Sequence, residues 1–229
     1  MQTEGRTRLR ILSYSRIVQD DTLRDALELM GFEEGRHKDV LSHLVAAYGI
    51  ALKPEPAYVE PRDAEWAFMV TGYSECIDSF FAFGLFEVAP RSGYFPPALV
   101  QTFEPVIQEE ARHILFFVNW IAWHKANMPL WRRPWFFLKT LAVWSFLIRE
   151  RMGLARDVSG GASNVNFTVS GSAAVAAGEL DTAALTQICL AENDRRLIGY
   201  DSRLLRPTTV PRLTRFALKL LRLLPKRRR

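Results

Sequence analysis

The sequence predicts an all-α protein, and three observations carry that prediction. Long stretches repeat apolar residues at alternating spacings of three and four, the signature of helices with one buried face. Breaks containing proline and glycine divide the chain into segments of helical length. One short motif, Glu-Glu-x-Arg-His, occurs at Glu33–His37 and again at Glu109–His113, each time inside such a segment.

A first long helix is expected from about Asp20 to Tyr48, ended by Gly49 and the linker holding Pro54 and Pro56. A second spans about Arg62 to Val88 and stops at Pro90 and the turn-rich Arg91-Ser92-Gly93. The third starts near Pro96-Pro97, where proline suits the first turn, and reaches about Ala126, before Pro129. A fourth, dense in aromatic residues, covers about Arg133 to Leu154. Ser159 to Gly178 then turns to Gly, Ser, Ala and Asn, with an alternating patch at Val165–Val169 that suits an extended segment. This stretch (about 159–178) reads as a flexible loop, a lid or a plain connector, and it lacks the lysine of a phosphate-binding loop, so no nucleotide site is expected there. Helices from about Asp181 to Leu205 and from Pro211 to Leu224 complete the chain. The resulting organisation is one helical domain over residues 1–205 and a basic amphipathic tail over 206–229.

A chain of 229 residues can bury a sizeable core. No stretch of about 20 residues is apolar and free of charge, so no transmembrane span is required. The nearest approach, Pro134–Ile148, is 15 residues long and interrupted by Lys139. Met1–Arg16 has basic residues but neither a continuous apolar core nor a small-residue cleavage site, which argues against secretion. The two cysteines, Cys76 and Cys189, form no Cys-x-x-Cys pair; that excludes a rubredoxin-type iron centre and fits a cytoplasmic, disulfide-free protein with both as core residues. Of the net charge of +5, Pro211–Arg229 supplies eight cations and no anion, leaving the remainder at −3. The basicity therefore belongs to the tail.

The two motifs sit in matching registers. The first seam reads Leu27, Met30, Glu34, His37, Leu41, Leu44, Tyr48, and the second Phe103, Val106, Glu110, His113, Phe117, Trp120, His124. A carboxylate and an imidazole three residues apart share one helix face, and within an apolar seam both can hold one metal ion. Glu33 and Glu109 fall off the seam and are expected to face solvent or to support the ligands. A lone Glu-x-x-His is common by chance, as a charged patch or a satisfied core histidine; two copies in equal registers weigh against that. Glu75 lies in a similar face, Phe68, Gly72, Glu75, Ser79, Ala82, Phe86, 41 residues after Glu34 and 35 before Glu110, with Asp78 one turn on as an assistant or substitute. Glu192, in the series Leu185, Ile188, Glu192, Arg196, Gly199, is the candidate for a sixth ligand, although its charged neighbours also suit a solvated face.

The repeated Glu-Glu-x-Arg-His helices with Glu75 between them resemble the ferritin-like superfamily of di-iron carboxylate proteins, over about residues 20–126 and more weakly over Asp181–Leu205. The resemblance implies a ferritin-like four-helix bundle with additional helices and the C-terminal basic amphipathic helix. It also implies two iron ions, or manganese or a mixed pair, with Glu34 and Glu110 bridging, His37 and His113 each holding one ion, and Glu75 a terminal ligand. The usual order is Glu, Glu-x-x-His, Glu, Glu-x-x-His. Here no suitable glutamate is expected on a helix preceding that of Glu34, so Glu192 would complete the set by a cyclic shift of helix order.

Such a pair reduces dioxygen or peroxide by two electrons. The extra helices, the polar segment and the basic tail favour an oxygenase or oxidase acting on a hydrophobic or amphipathic organic substrate. A ferroxidase or peroxidase of rubrerythrin-like type would share the ligands, and a metal-free membrane-associated or scaffold protein would need none. Phe116–Phe146, with Trp120, Trp123, Trp131, Trp135 and Trp144, would line an apolar pocket, rest at a lipid interface or fill the core. In the tail, Arg212, Arg215, Lys219 and Arg222 run beside Leu213, Phe216, Leu220, Leu221 and Leu224, a pattern suited to the inner face of an anionic membrane or to capping a bundle. No nucleic-acid partner is expected, because the rest of the chain offers no basic face. A homodimer is compatible with this reading. His43 is expected at the surface, and His124 lies too far from His113 to share its ion. Tyr73 and Tyr200 suit either packing or a proton or radical relay. Arg36 and Arg112 would pair with carboxylates or reach solvent.

Overall fold

A computed structural model describes residues 2–52, 54–92, 95–159 and 182–223. The described residues form seven α-helices and no strand: α1 (Gln2–Ser15), α2 (Asp21–Ala47), α3 (Ala64–Val88), α4 (Pro97–Asn127), α5 (Arg133–Ser159), α6 (Thr182–Leu197) and α7 (Thr209–Leu223). The protein is therefore all-α, and among the described residues no helix is long and apolar enough to cross a membrane. The extended patch expected at Val165–Val169 and most of the 159–178 segment lie outside the described residues.

Local chemistry sets the helix ends. The Asp20 carboxylate accepts from the Leu23 amide at 2.8 Å, and Asp63 accepts from the Trp66 amide at 2.8 Å, each satisfying a donor that the first turn leaves open. Gly49, at φ 64°, takes the left-handed conformation that closes α2, while the amides of Gly49 and Ile50 return to the carbonyls of Ala46 and Val45. Two boundaries depart from expectation. Gln2–Ser15 is a full helix, and α6 ends at Leu197, eight residues before Leu205. The stretch after α6 is tied down by Asn119, whose side-chain amide donates to the Leu205 carbonyl at 3.0 Å and whose oxygen accepts from the Leu205 amide at 2.9 Å.

The chain falls into two compact units, Met1–Tyr73 with Phe137–Trp144 and Ser74–Phe136 with Ser145–Arg229. In the first unit α1 packs along α2. A Cβ added at Gly31 would lie 2.7 Å from Leu12 Cδ2, and one at Gly35 would lie 3.2 Å from Arg8 Nη1, so this glycine side of α2 lets α1 approach closely. The inward face of α1 reads Glu4, Thr7, Ile11, Tyr14, with Tyr14 stacked on Phe68 at 4.7 Å. Lys38 bridges α2 to the linker through Glu55 at 2.6 Å, and the Tyr58 hydroxyl also donates to Glu55.

The hydrogen bond from Lys38, then that from Tyr58, holds the Glu55 carboxyl below its ordinary value of 4.5, and the same Glu55 bond raises Lys38 above 10.5. A depressed carboxyl contributes stability above its unfolded pKa and loses it as pH falls through the folded value; the raised lysine loses its share above pH 10.5. Glu55→Gln is thus expected to cost up to about 1 kcal/mol near pH 7, with the gap to the native chain closing as urea melts are repeated below pH 4.5.

In the second unit α3, α4 and α6 meet around Arg196, which is buried, paired to Glu104 at 3.0 and 3.2 Å, and placed 5.5 Å from both the Phe83 and Phe86 rings. Gly84 permits a close approach between α3 and α6. A Cβ there would lie 2.3 Å from Cys189 Sγ and 2.9 Å from its Cα, and the Cα cannot swing away. Gly84→Ala is therefore expected to destabilise by about 1–3 kcal/mol in denaturant melts. The core accounts for only part of the aromatic segment: Phe117 and Trp120 are buried, whereas Trp131 and Trp135 are about 70% exposed.

Candidate metal centre

Helix α2 carries its motif inward as the seam requires. Leu27, Met30, Glu34 and His37 are all buried, Leu41 and Leu44 are half-buried, and the seam opens to solvent at Tyr48. Glu34 and His37, at 1% and 2% exposure, project one helical turn apart from the same face. Glu4 of α1 joins them: one ligand atom from each of Glu4, Glu34 and His37 can be chosen so that all three lie within 4.8 Å of one another.

Glu4 is not among the ligands expected from the sequence. Its signal was the 3-4 spacing of Glu4, Thr7, Ile11 and Tyr14, diluted by two polar members and by four arginines on the rest of Met1–Arg16. Because α1 precedes α2, a glutamate on a separate helix does stand before Glu34, contrary to expectation.

The donor set suits a divalent metal. Two carboxylates and one imidazole are ligands of the kind that take iron, manganese or zinc. Ligand atoms about 2.0–2.2 Å from a common ion lie at most ~4.4 Å apart, and a group whose atoms all fall within 4.8 Å of one another is on the scale of such a site. Two carboxylates held this close and largely out of water repel each other, and a bound cation offsets that cost.

The second motif lies on α4. His113 is fully buried, with Phe117 and Trp120 continuing its seam, and Glu110 is half-buried. The Ser79 hydroxyl of α3 donates to Glu110 Oε2 over 3.5 Å. Glu75, half-buried, precedes Ser79 by one turn on the same face of α3, which directs it toward the side where α4 presents Glu110.

Other candidates occupy different places. Glu192 is buried, but it pairs with Arg195 at 2.6 Å and Arg196 at 3.6 Å, and it is not part of the group formed by Glu4, Glu34 and His37. Asp78 is exposed and bonded to Arg151 at 2.8 Å, which places it at the surface rather than beside Glu75. Of the two places expected for Glu33, solvent or support of the ligands, its 6% exposure excludes the first; Glu109 is half-buried. Arg36 and Arg112 reach the surface. His43 is exposed and donates through Nδ1 to the Asp39 carbonyl at 2.7 Å. His124 stacks on Trp120, Tyr73 packs on Trp144, and Tyr200 exchanges hydrogen bonds with Gln108. Cys76 and Cys189 are buried and free; burial pushes the Cys76 thiol well up and Cys189 to about 11, so neither offers a thiolate at neutral pH.

Against this geometry, no protein-family model, no curated protein and no solved structure matches the chain.

Proposed function

We propose that the protein is a di-iron carboxylate oxidoreductase of ferritin-like type, which activates dioxygen to oxidise a hydrophobic or amphipathic organic substrate. The observation that supports it best is the group formed by half-buried Glu4 with buried Glu34 and His37. With Glu4 included, the proposed ligands are Glu4, Glu34 and His37, then Glu75, Glu110 and His113. That series reads Glu, Glu-x-x-His, Glu, Glu-x-x-His, the usual order of the ferritin-like pattern, and no cyclic shift is needed.

The chemistry supplied by a bound pair of ferrous ions is two-electron reduction of dioxygen. The chain's own residues fix its setting. His37 and His113 contribute neutral donors, and the four glutamates balance the charge of two divalent ions. Ser79 orients Glu110 through its hydrogen bond. Buried Met30 and Phe117, each on the seam of its own motif, limit the access of water to the ligands.

The test is anaerobic loading with ferrous iron, metal analysis, and exposure to oxygen while the visible spectrum is recorded. About two ions per chain and an oxygen-dependent absorption change are expected. No bound metal after loading would sink the reading. Turnover faster with peroxide than with dioxygen, without oxidation of any apolar substrate, would replace it with a peroxidase.

A further inference from the structure

We propose that α7 is a docking element for anionic lipid surfaces. Two apolar strips run along this helix, and only one is used inside the protein. Pro211 and Leu218 are buried, and Arg215 reaches Asp194 of α6 at 3.3 Å, so this side anchors α7 to its own unit. The other strip faces outward: Leu213 and Phe216 are each 60% exposed and Leu220 is 47% exposed. At 100° per residue these three fall within an arc of about 60°. Arg212, Arg215 and Lys219 occupy the adjoining arc and are exposed.

Capping of the bundle would bury Phe216 and Leu220, yet the helix leaves them in water. The arrangement matches an interfacial helix, whose apolar strip enters the boundary between headgroups and acyl chains while the flanking cations meet lipid phosphates. Charge complementarity selects an anionic surface. Residues 202–229 contain no acidic side chain, and among the described residues neither Arg212 nor Lys219 has an acidic partner. The apolar strip selects lipid over nucleic acid, which would engage the cations and gain nothing from Leu213, Phe216 or Leu220. A 15-residue helix is too short to span a bilayer, so it lies on the surface. None of this depends on the metal reading.

The experiment is co-sedimentation of the full chain with vesicles of phosphatidylcholine alone and of phosphatidylcholine mixed with phosphatidylglycerol. Partitioning at least ~10-fold stronger to the mixed vesicles is expected. Phe216→Ser with Leu220→Ser should lower it by at least ~10-fold, and Arg212→Gln with Lys219→Gln by about 25-fold, roughly fivefold per cation. All four positions are exposed, so an unchanged thermal melt verifies the fold of each variant. Failure to bind, or equal binding to both vesicles, would overturn the proposal. So would full binding by the Phe216/Leu220 variant, which reduces the contact to a polyanion effect, or a dimer that this variant dissolves while vesicle binding is absent, which assigns the strip to a second copy.

Discussion

Replacing both His37 and His113 with alanine is expected to take bound iron from about two ions per chain to below ~0.2 after anaerobic loading, as read by metal analysis. The argument rests on how few neutral donors the chain places in its seams. Each Glu-x-x-His contributes one imidazole, and neither remaining histidine is a substitute, because His43 is exposed and His124 is stacked on Trp120 with Phe136 tilted against it. Either single substitution should leave about one ion per chain, since the other motif retains its own imidazole. Both histidines are buried, so truncation also opens a cavity and costs a few kcal/mol. His37→Gln and His113→Gln fill that space and separate ligand loss from unfolding; metal retained at full stoichiometry by the folded double variant would end the di-iron reading. The same double variant should gain no thermal stability from added iron, whereas the native chain should.

The seams were readable because burial and helical period act on the same residues. Leu27, Met30, Glu34 and His37 fall on one face of α2 in sequence and are buried together in space. The limits of that legibility are equally physical. Glu33 sits off the seam, yet it is buried at 6% exposure, and one amphipathic stripe could not reveal a second covered face. Helix α1 was hidden because half of its inward stripe is polar. Glu192 shares the 3-4 register of a ligand, but Arg195 and Arg196 lie at i+3 and i+4 and take its carboxylate instead. Spacing records which residues can face inward, and it does not record which partner reaches them first. The outward Trp131 and Trp135 make the same point from the other side, since aromatic density predicts burial only where another element arrives to cover it.

Glu4→Ala and Glu192→Ala are expected to part company, and the pair decides which glutamate completes the ligand set. Glu4 lies with Glu34 and His37 in one group, so its loss should weaken binding of one ion by at least ~100-fold and leave about one tightly held ion per chain in competition with a chelator. Its side chain is only half-buried and makes little of the core, so folding should change by less than about 1 kcal/mol. Glu192 should behave in the opposite way. Its removal leaves the buried Arg196 guanidinium with Glu104 as its remaining carboxylate, which predicts a loss of about 1–3 kcal/mol in denaturant melts. Metal stoichiometry should stay unchanged, because the carboxylate is already engaged by two arginines. If Glu192→Ala instead released metal while Glu4→Ala did not, the ligand order would be the shifted one, and α1 would serve only to cover the glycine side of α2. Because one variant is read mainly in metal and the other mainly in stability, a general loss of structure cannot imitate both results.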